Sequence, residues 1–148
     1  MAPILHDPAV RDSIRARVQQ LHPTATRKWG TMSVDQMLWH VNEALRNALG
    51  ESRPKDLKIP MPKSVLKFMV FSLPWMKGAP TAPEFVAGAR YDFELERQRC
   101  LRLIDEFTRR SVDASNWGHS AAFGDLTGRE WSQLHAKHLD HHLKQFSA

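Results

Sequence analysis

Apolar residues recur at helical spacing in four stretches of this chain. The stretches begin after Asp7-Pro8, Ser33, Asp92 and Thr127, and Ser33 and Thr127 each have the Gln or Glu three residues later that completes a capping box. Their apolar positions lie three or four residues apart: Val10, Ile14, Val18 and Leu21; Val34, Met37, Leu38, Val41, Leu45 and Ala48; Leu95, Cys100, Leu103, Ile104 and Phe107; Trp131, Leu134, Leu139, Leu143 and Phe146. Since no strand-like alternation competes, the sequence predicts an all-α protein with four amphipathic helices.

The connection between the second and third of these helices is rich in proline. Six of the nine prolines lie between residues 54 and 83, so no long helix crosses this region. A short apolar helix is predicted at about residues 64–73, and we expect it to pack into the protein's own core. The pattern therefore predicts a four-helix bundle with a long crossover, carrying a short extra helix, between helices 2 and 3.

Length and composition narrow the class of protein. A chain of 148 residues fits a single domain, here residues 1–148, with enough length for a core of its own. The one cysteine, Cys100, excludes an internal disulfide and suits a reducing compartment. The N-terminus lacks a signal-peptide pattern, and the longest apolar run, residues 65–76, is too short to span a bilayer. We therefore expect a cytoplasmic protein with no membrane partner.

The formal charge of +5 raises the question of nucleic-acid binding. The basic residues are spread along the chain, and several have acidic helix neighbours, as Arg110 has Glu106 four residues earlier. No groove-reading motif and no basic stripe with interleaved aromatic residues is present. The charges are typical of a solvated surface, and we expect no nucleic-acid partner.

The histidines carry the strongest chemical pattern. Four of the eight lie between residues 135 and 142, and His138 and His142 are spaced i, i+4 on one helix face. His40 lies at the edge of the second helix's apolar stripe and could supply a third imidazole to one metal ion. His135 could replace one of the pair, whereas His141 is rotated away and suits the surface. On spacing alone, a metal site and a polar helix face remain open alternatives.

Several short stretches resemble one known superfamily. The stretch Trp29–His40, ending in Gln-Met-Leu-Trp-His, the ending His138–Gln145, and the stretches Met76–Pro83 and Phe123–Trp131 are similar to the DinB-like superfamily, in a branch labelled as a domain of unknown function. The resemblance implies a four-helix bundle, commonly dimeric, in which three histidines bind a divalent metal. Those positions are His40, His138 and His142. His119 departs from the pattern, because Ser120 and no proline follows it.

A centre of three neutral imidazoles leaves coordination positions open, as in catalytic metal sites. Zinc and nickel both suit such ligands. Characterised members of the superfamily include thiol-dependent transferases, so the resemblance implies S-transfer from a low-molecular-weight thiol to a small electrophilic substrate, with a homodimer as the assembly. Glu43 is the candidate polar helper, Gln145 could support a ligand, and Cys100 belongs to an apolar face. The alternative is a non-catalytic metal-binding or scaffold bundle, related to stress.

Overall fold

The computed structural model describes residues 2–77 and 81–148, and this part of the chain is mostly helical. Its α-helices are α1 (Pro8–Gln20), α2 (Val34–Leu49), α3 (Lys63–Ser72), α4 (Phe93–Arg109) and α5 (Gly128–Gln145). A 3-10 turn covers Pro83–Phe85. Strands β1 (His119–Ser120) and β2 (Gly124–Asp125) form a short antiparallel hairpin that the sequence pattern did not predict. Of the stretch Met76–Pro83, residues 78–80 lie outside the described part.

The helices begin and end at the residues that the sequence indicated. Asp7 accepts a hydrogen bond from the backbone N–H of Ala9 at 2.9 Å, and Asp92 accepts one from Leu95 at 2.9 Å. Thr127 opens α5 with a capping box. Gly50 ends α2 in the left-handed conformation, with φ at 84°, which costs glycine no steric strain. The side chains of Asp7, Asp92 and Thr127 accept from backbone N–H groups that the helix itself leaves unpaired.

Helix α2 lies at the centre of the packing. It packs against α4 and α5, and α1 packs against the same two helices. The shared core contains side chains from all four, among them Val18, Leu45, Phe107 and Leu139, each no more than 2% exposed. Truncating a buried residue such as Phe107 to alanine costs about 3–5 kcal/mol of stability. A rigid core therefore fixes where α2 and α5 present their polar residues.

The crossover lies along α5, and its helix is less buried than expected. No residue of α3 is buried, and Phe68 is 60% exposed. The expectation that this segment packs into the core is therefore wrong for its outer face. The C-terminal end of α3 is bound to α5, because Lys137 donates to the carbonyl oxygens of Val70 and Leu73. Among the described helices, none is both long and apolar enough to cross a membrane.

Candidate metal centre

The three predicted ligands lie together between α2 and α5. His40 comes from the middle of α2, and His138 and His142 come from successive turns of α5. One nitrogen of each ring lies within 4.8 Å of the other two, and Nε2 of His40 is 3.0 Å from Nε2 of His138. Three nitrogens bound to one zinc ion at about 2.0–2.1 Å lie roughly 3.4 Å apart in tetrahedral geometry. The spacing of the cluster is close to the one that a single ion requires.

A backbone carbonyl fixes the ring of His40. Its Nδ1 lies 2.8 Å from the carbonyl oxygen of Phe85, the last residue of the 3-10 turn in the crossover. A carbonyl oxygen only accepts, so Nδ1 carries the hydrogen and Nε2 keeps its lone pair. That lone pair is on the nitrogen facing His138. The crossover therefore selects the tautomer that a metal ion needs.

A glutamine fixes the ring of His142 in the same way. The side-chain amide of Gln145 donates from Nε2 to the carbonyl oxygen of Trp29 at 2.8 Å. Its Oε1 is thereby turned toward Nδ1 of His142, which donates to it at 2.8 Å. The second ring nitrogen of His142 is left free as an acceptor. Gln145 is 3% exposed, and it occupies the supporting position that the sequence analysis suggested.

Gly30 makes room for this contact. A Cβ atom at position 30 would lie 2.8 Å from Nε2 of Gln145, closer than carbon packs. The glycine also has φ at 79°, a conformation that side chains disfavour. Any other residue at position 30 would displace Gln145 or strain the turn. The loop before α2 is therefore shaped around the support of His142.

Burial keeps the three imidazoles neutral. His40 is 5% exposed and His142 is 9% exposed. Burial lowers the pKa of His142 to about 3 and also lowers the pKa of His40. Burial, followed by the nearby His142 and His40, holds the pKa of His138 well below its ordinary value. Each ring therefore offers a lone pair at neutral pH, which is the form that binds a metal.

The remaining histidines of α5 surround the cluster without joining it. His135 is 1% exposed and stacks on Trp131, with ring centroids 5.5 Å apart. His141 packs against Trp29 and Trp75 at 5.4 Å each. The sequence pattern missed Trp29 as a neighbour of the site, and no sequence signal could identify the backbone carbonyl of Phe85.

The other two residues singled out from the sequence have different surroundings. Glu43 accepts hydrogen bonds from Arg46 at 2.9 Å and from Arg99 at 3.0 Å, so guanidinium groups hold both of its oxygens. Its role as a polar helper stays a prediction. Cys100 is fully buried in the core, and burial raises the pKa of its thiol to about 12. The thiol stays protonated, as expected of a cysteine that serves as core material.

The hairpin holds a histidine of a different kind. His119 lies between two carboxylates, with Nδ1 3.0 Å from Asp125 and Nε2 2.8 Å from Asp56. These hydrogen bonds raise the pKa of His119, Asp125 contributing most. In the protonated ring both nitrogens donate, and that form has no lone pair for a metal ion. Within the described ranges, only His40, His138 and His142 form a cluster of three candidate ligands.

Comparison with known families places the chain. The family model described as "Protein of unknown function (DUF1569)" matches residues 8–148, so the chain belongs to this family. No curated protein and no solved structure matches it. The resemblance to a domain of unknown function is thereby confirmed, and the placement of that domain in the DinB-like superfamily stays a prediction.

Proposed function

We propose that this DUF1569 member is a metal-dependent transferase that joins a low-molecular-weight thiol to a small electrophile. In this proposal His40, His138 and His142 bind one divalent ion, zinc or nickel. The observation that carries the metal centre is the convergence of three neutral imidazoles, two of them held in the metal-binding tautomer by Phe85 and Gln145. The choice of thiol transfer rests on the DinB-like resemblance.

The ligand count supports a catalytic site over a structural one. Structural zinc sites use four protein ligands, whereas catalytic sites use three and leave a position for water or substrate. A divalent ion bound by these histidines would act as a Lewis acid and lower the pKa of a coordinated thiol or water.

The chain's own residues would contribute orientation and water exclusion. Phe85 and Gln145 keep the rings of His40 and His142 from rotating, so these two ligands are already oriented when an ion binds. The ring centroid of Trp75 lies 5.7 Å from that of His138. Trp75 and His141 thus provide aromatic faces beside the cluster. An apolar electrophile would pack against these faces. The thiol would give its proton to water, and its sulfur would bond to the electrophilic carbon while the leaving group departs with the bonding electron pair.

Four further proposals concern the whole protein. The packing of α1, α2, α4 and α5 against one another supports a four-helix bundle. We also propose that the protein is a single domain, that it is cytoplasmic and that it forms a homodimer. Sedimentation equilibrium at micromolar concentration would test the homodimer, with twice the 17.0 kDa chain mass as the expected result.

A second function shares the metal and lacks turnover. The low exposure of His40 and His142 also suits a closed, non-catalytic metal-binding module. A panel of thiols, namely glutathione, bacillithiol and mycothiol, with a chromogenic chloronitrobenzene would separate the two functions. The zinc- or nickel-loaded protein should accelerate at least one reaction, and His138→Ala should abolish the acceleration. His119→Gln is the matched control that should retain it. Tight metal binding with no reaction in the whole panel would favour the module.

A further inference from the structure

Two histidines of α5, one helical turn apart, have ring nitrogens without a hydrogen-bond partner among the described residues. Nδ1 of His138 has none, whereas the corresponding nitrogens of His40 and His142 each donate to an oxygen. Both ring nitrogens of His135 are buried and also have none. His138 is thus the one proposed ligand whose second nitrogen has no supporting oxygen. The neighbouring His135 has two ring nitrogens that could form a hydrogen bond.

The pocket around His135 is otherwise apolar. Its ring stacks on Trp131 at an interplanar angle of 14° and meets the edge of Phe107 at 5.3 Å. A buried N–H without a partner costs stability, and phenylalanine would fill this space without that cost. Core packing alone therefore does not explain an imidazole at this position.

The geometry between the two histidines suits an indirect contact. Residues three apart are neighbours on a helix, and the ring centroids of His135 and His138 are 6.3 Å apart. A direct N–H···N bond of about 3 Å does not fit this spacing, but a single bridging water does. Histidines that bind metals almost always donate from their second nitrogen to a fixed partner, which orients the ring.

We propose that His135 is a positioning residue of the metal centre, which holds the ring of His138 through one bridging water. The inference rests on the proposed metal site and adds the support that the third ligand lacks. His135 does not itself belong to the ligand cluster. Burial lowers the pKa of His135 to about 3, so its neutral ring offers one donor and one acceptor nitrogen at ordinary pH.

The test uses three substitutions with two readouts. His135→Phe keeps the volume and removes both nitrogens, His135→Asn keeps a polar atom near the place of Nδ1, and His135→Gln keeps one near Nε2. Zn²⁺ affinity is measured by competition with a chelating dye, and thermal stability is measured on the metal-free protein. The Phe variant should bind Zn²⁺ about 10–100-fold more weakly, as for other lost supports of ligands. Its metal-free melting temperature should rise by about 2–5 °C, because the unpaired groups are gone.

One of the two amide variants should recover most of the affinity, which packing alone would not produce. Trp131→Phe is the matched control, since it disturbs the other side of the His135 ring and leaves both nitrogens in place. It should lower stability without weakening Zn²⁺ binding. Unchanged Zn²⁺ affinity in His135→Phe, beside tight binding by the wild type, would overturn this inference alone. A wild type that binds no Zn²⁺ would overturn the metal centre together with it.

Discussion

Two histidine sites in this protein, a cluster of three and the single His119, have opposite surroundings. The cluster between α2 and α5 contains three histidines and no carboxylate, and burial lowers the pKa of its rings. The hairpin histidine, His119, bonds to Asp56 and Asp125 at the surface, and these partners raise its pKa. The buried rings stay neutral and each keeps one nitrogen lone pair, whereas the surroundings of His119 favour its protonated form. Among the described residues, only the first site brings three candidate metal ligands together.

The difference shows that hydrogen-bond partners, more than residue type, decide what a histidine does. A carbonyl or amide oxygen on one ring nitrogen leaves the other free as a ligand, as for His40 and His142. A carboxylate on each nitrogen favours the protonated ring, which then links two segments, here the crossover and the hairpin. The comparison can be tested by substitutions that should change Zn²⁺ affinity when made at the three-histidine cluster and leave it unchanged when made at His119.

The largest expected effect is a difference in Zn²⁺ affinity between variants of the two histidine sites. His138→Ala removes one of three proposed ligands and should weaken Zn²⁺ binding by more than about 100-fold, beyond the loss expected for a residue that only supports a ligand. His119→Ala removes a histidine whose surroundings favour the protonated form and should leave the affinity unchanged. Isothermal titration of both variants with Zn²⁺ measures the difference. Equal losses in the two variants would mean that the hairpin takes part in metal binding.

A smaller effect is expected at the support of His142. Gln145→Ala removes the acceptor for Nδ1 and should weaken Zn²⁺ binding by about 10–100-fold, because the ring is then free to rotate. Gln145→Glu is the informative companion, since its carboxylate still accepts from His142 but no longer donates to the carbonyl oxygen of Trp29. It should keep more of the affinity than the alanine variant does. The same titration measures both, and wild-type affinity in Gln145→Ala would show that the ring needs no support.

The smallest effect is a pH dependence of stability at the hairpin. The folded pKa of His119 is raised above its ordinary value of 6.5, so the folded state holds the proton more tightly than the unfolded chain. Its contribution is fully present below pH 6.5 and is lost as pH rises through the folded pKa. Because Asp56 and Asp125 are exposed, it should not exceed about 1 kcal/mol.

Urea denaturation of wild type and His119→Gln between pH 5.5 and 9 isolates this contribution. The wild type should be the more stable protein at the acidic end, and the two curves should converge toward the alkaline end. A difference that grows with pH would contradict the assignment of His119 as a cation. Buried histidines act in the opposite direction below pH 6.5, and the subtraction removes their effect because both proteins contain them.

Most of the helical architecture was predictable because its signals are local. Asp92, Thr127 and Gly50 act through hydrogen bonds or dihedral angles within a few residues, so caps and stops can be identified in the sequence. The pairing of His138 with His142 is local as well, since it follows from the helical repeat. Bringing His40 to them depended on the apolar stripe of α2 and on the family resemblance.

The remaining features depend on contacts between distant segments, which periodicity does not report. The exposure of Phe68 follows from how the crossover lies on α5, and its sequence alone looked suited to a core. The carbonyl of Phe85 supports His40 through the backbone, so no side chain marks it. Asp56 reaches His119 from a position 63 residues earlier in the chain. Such pairs are set by tertiary packing.

The most direct test of the metal centre is anomalous-difference density from crystals grown with Zn²⁺ and measured at the zinc absorption edge. One peak per chain is expected, about 2.0–2.1 Å from a nitrogen of each of His40, His138 and His142. A peak between His119 and Asp56, or no peak beside the three histidines at saturating Zn²⁺, would contradict the assignment of these residues as a metal site.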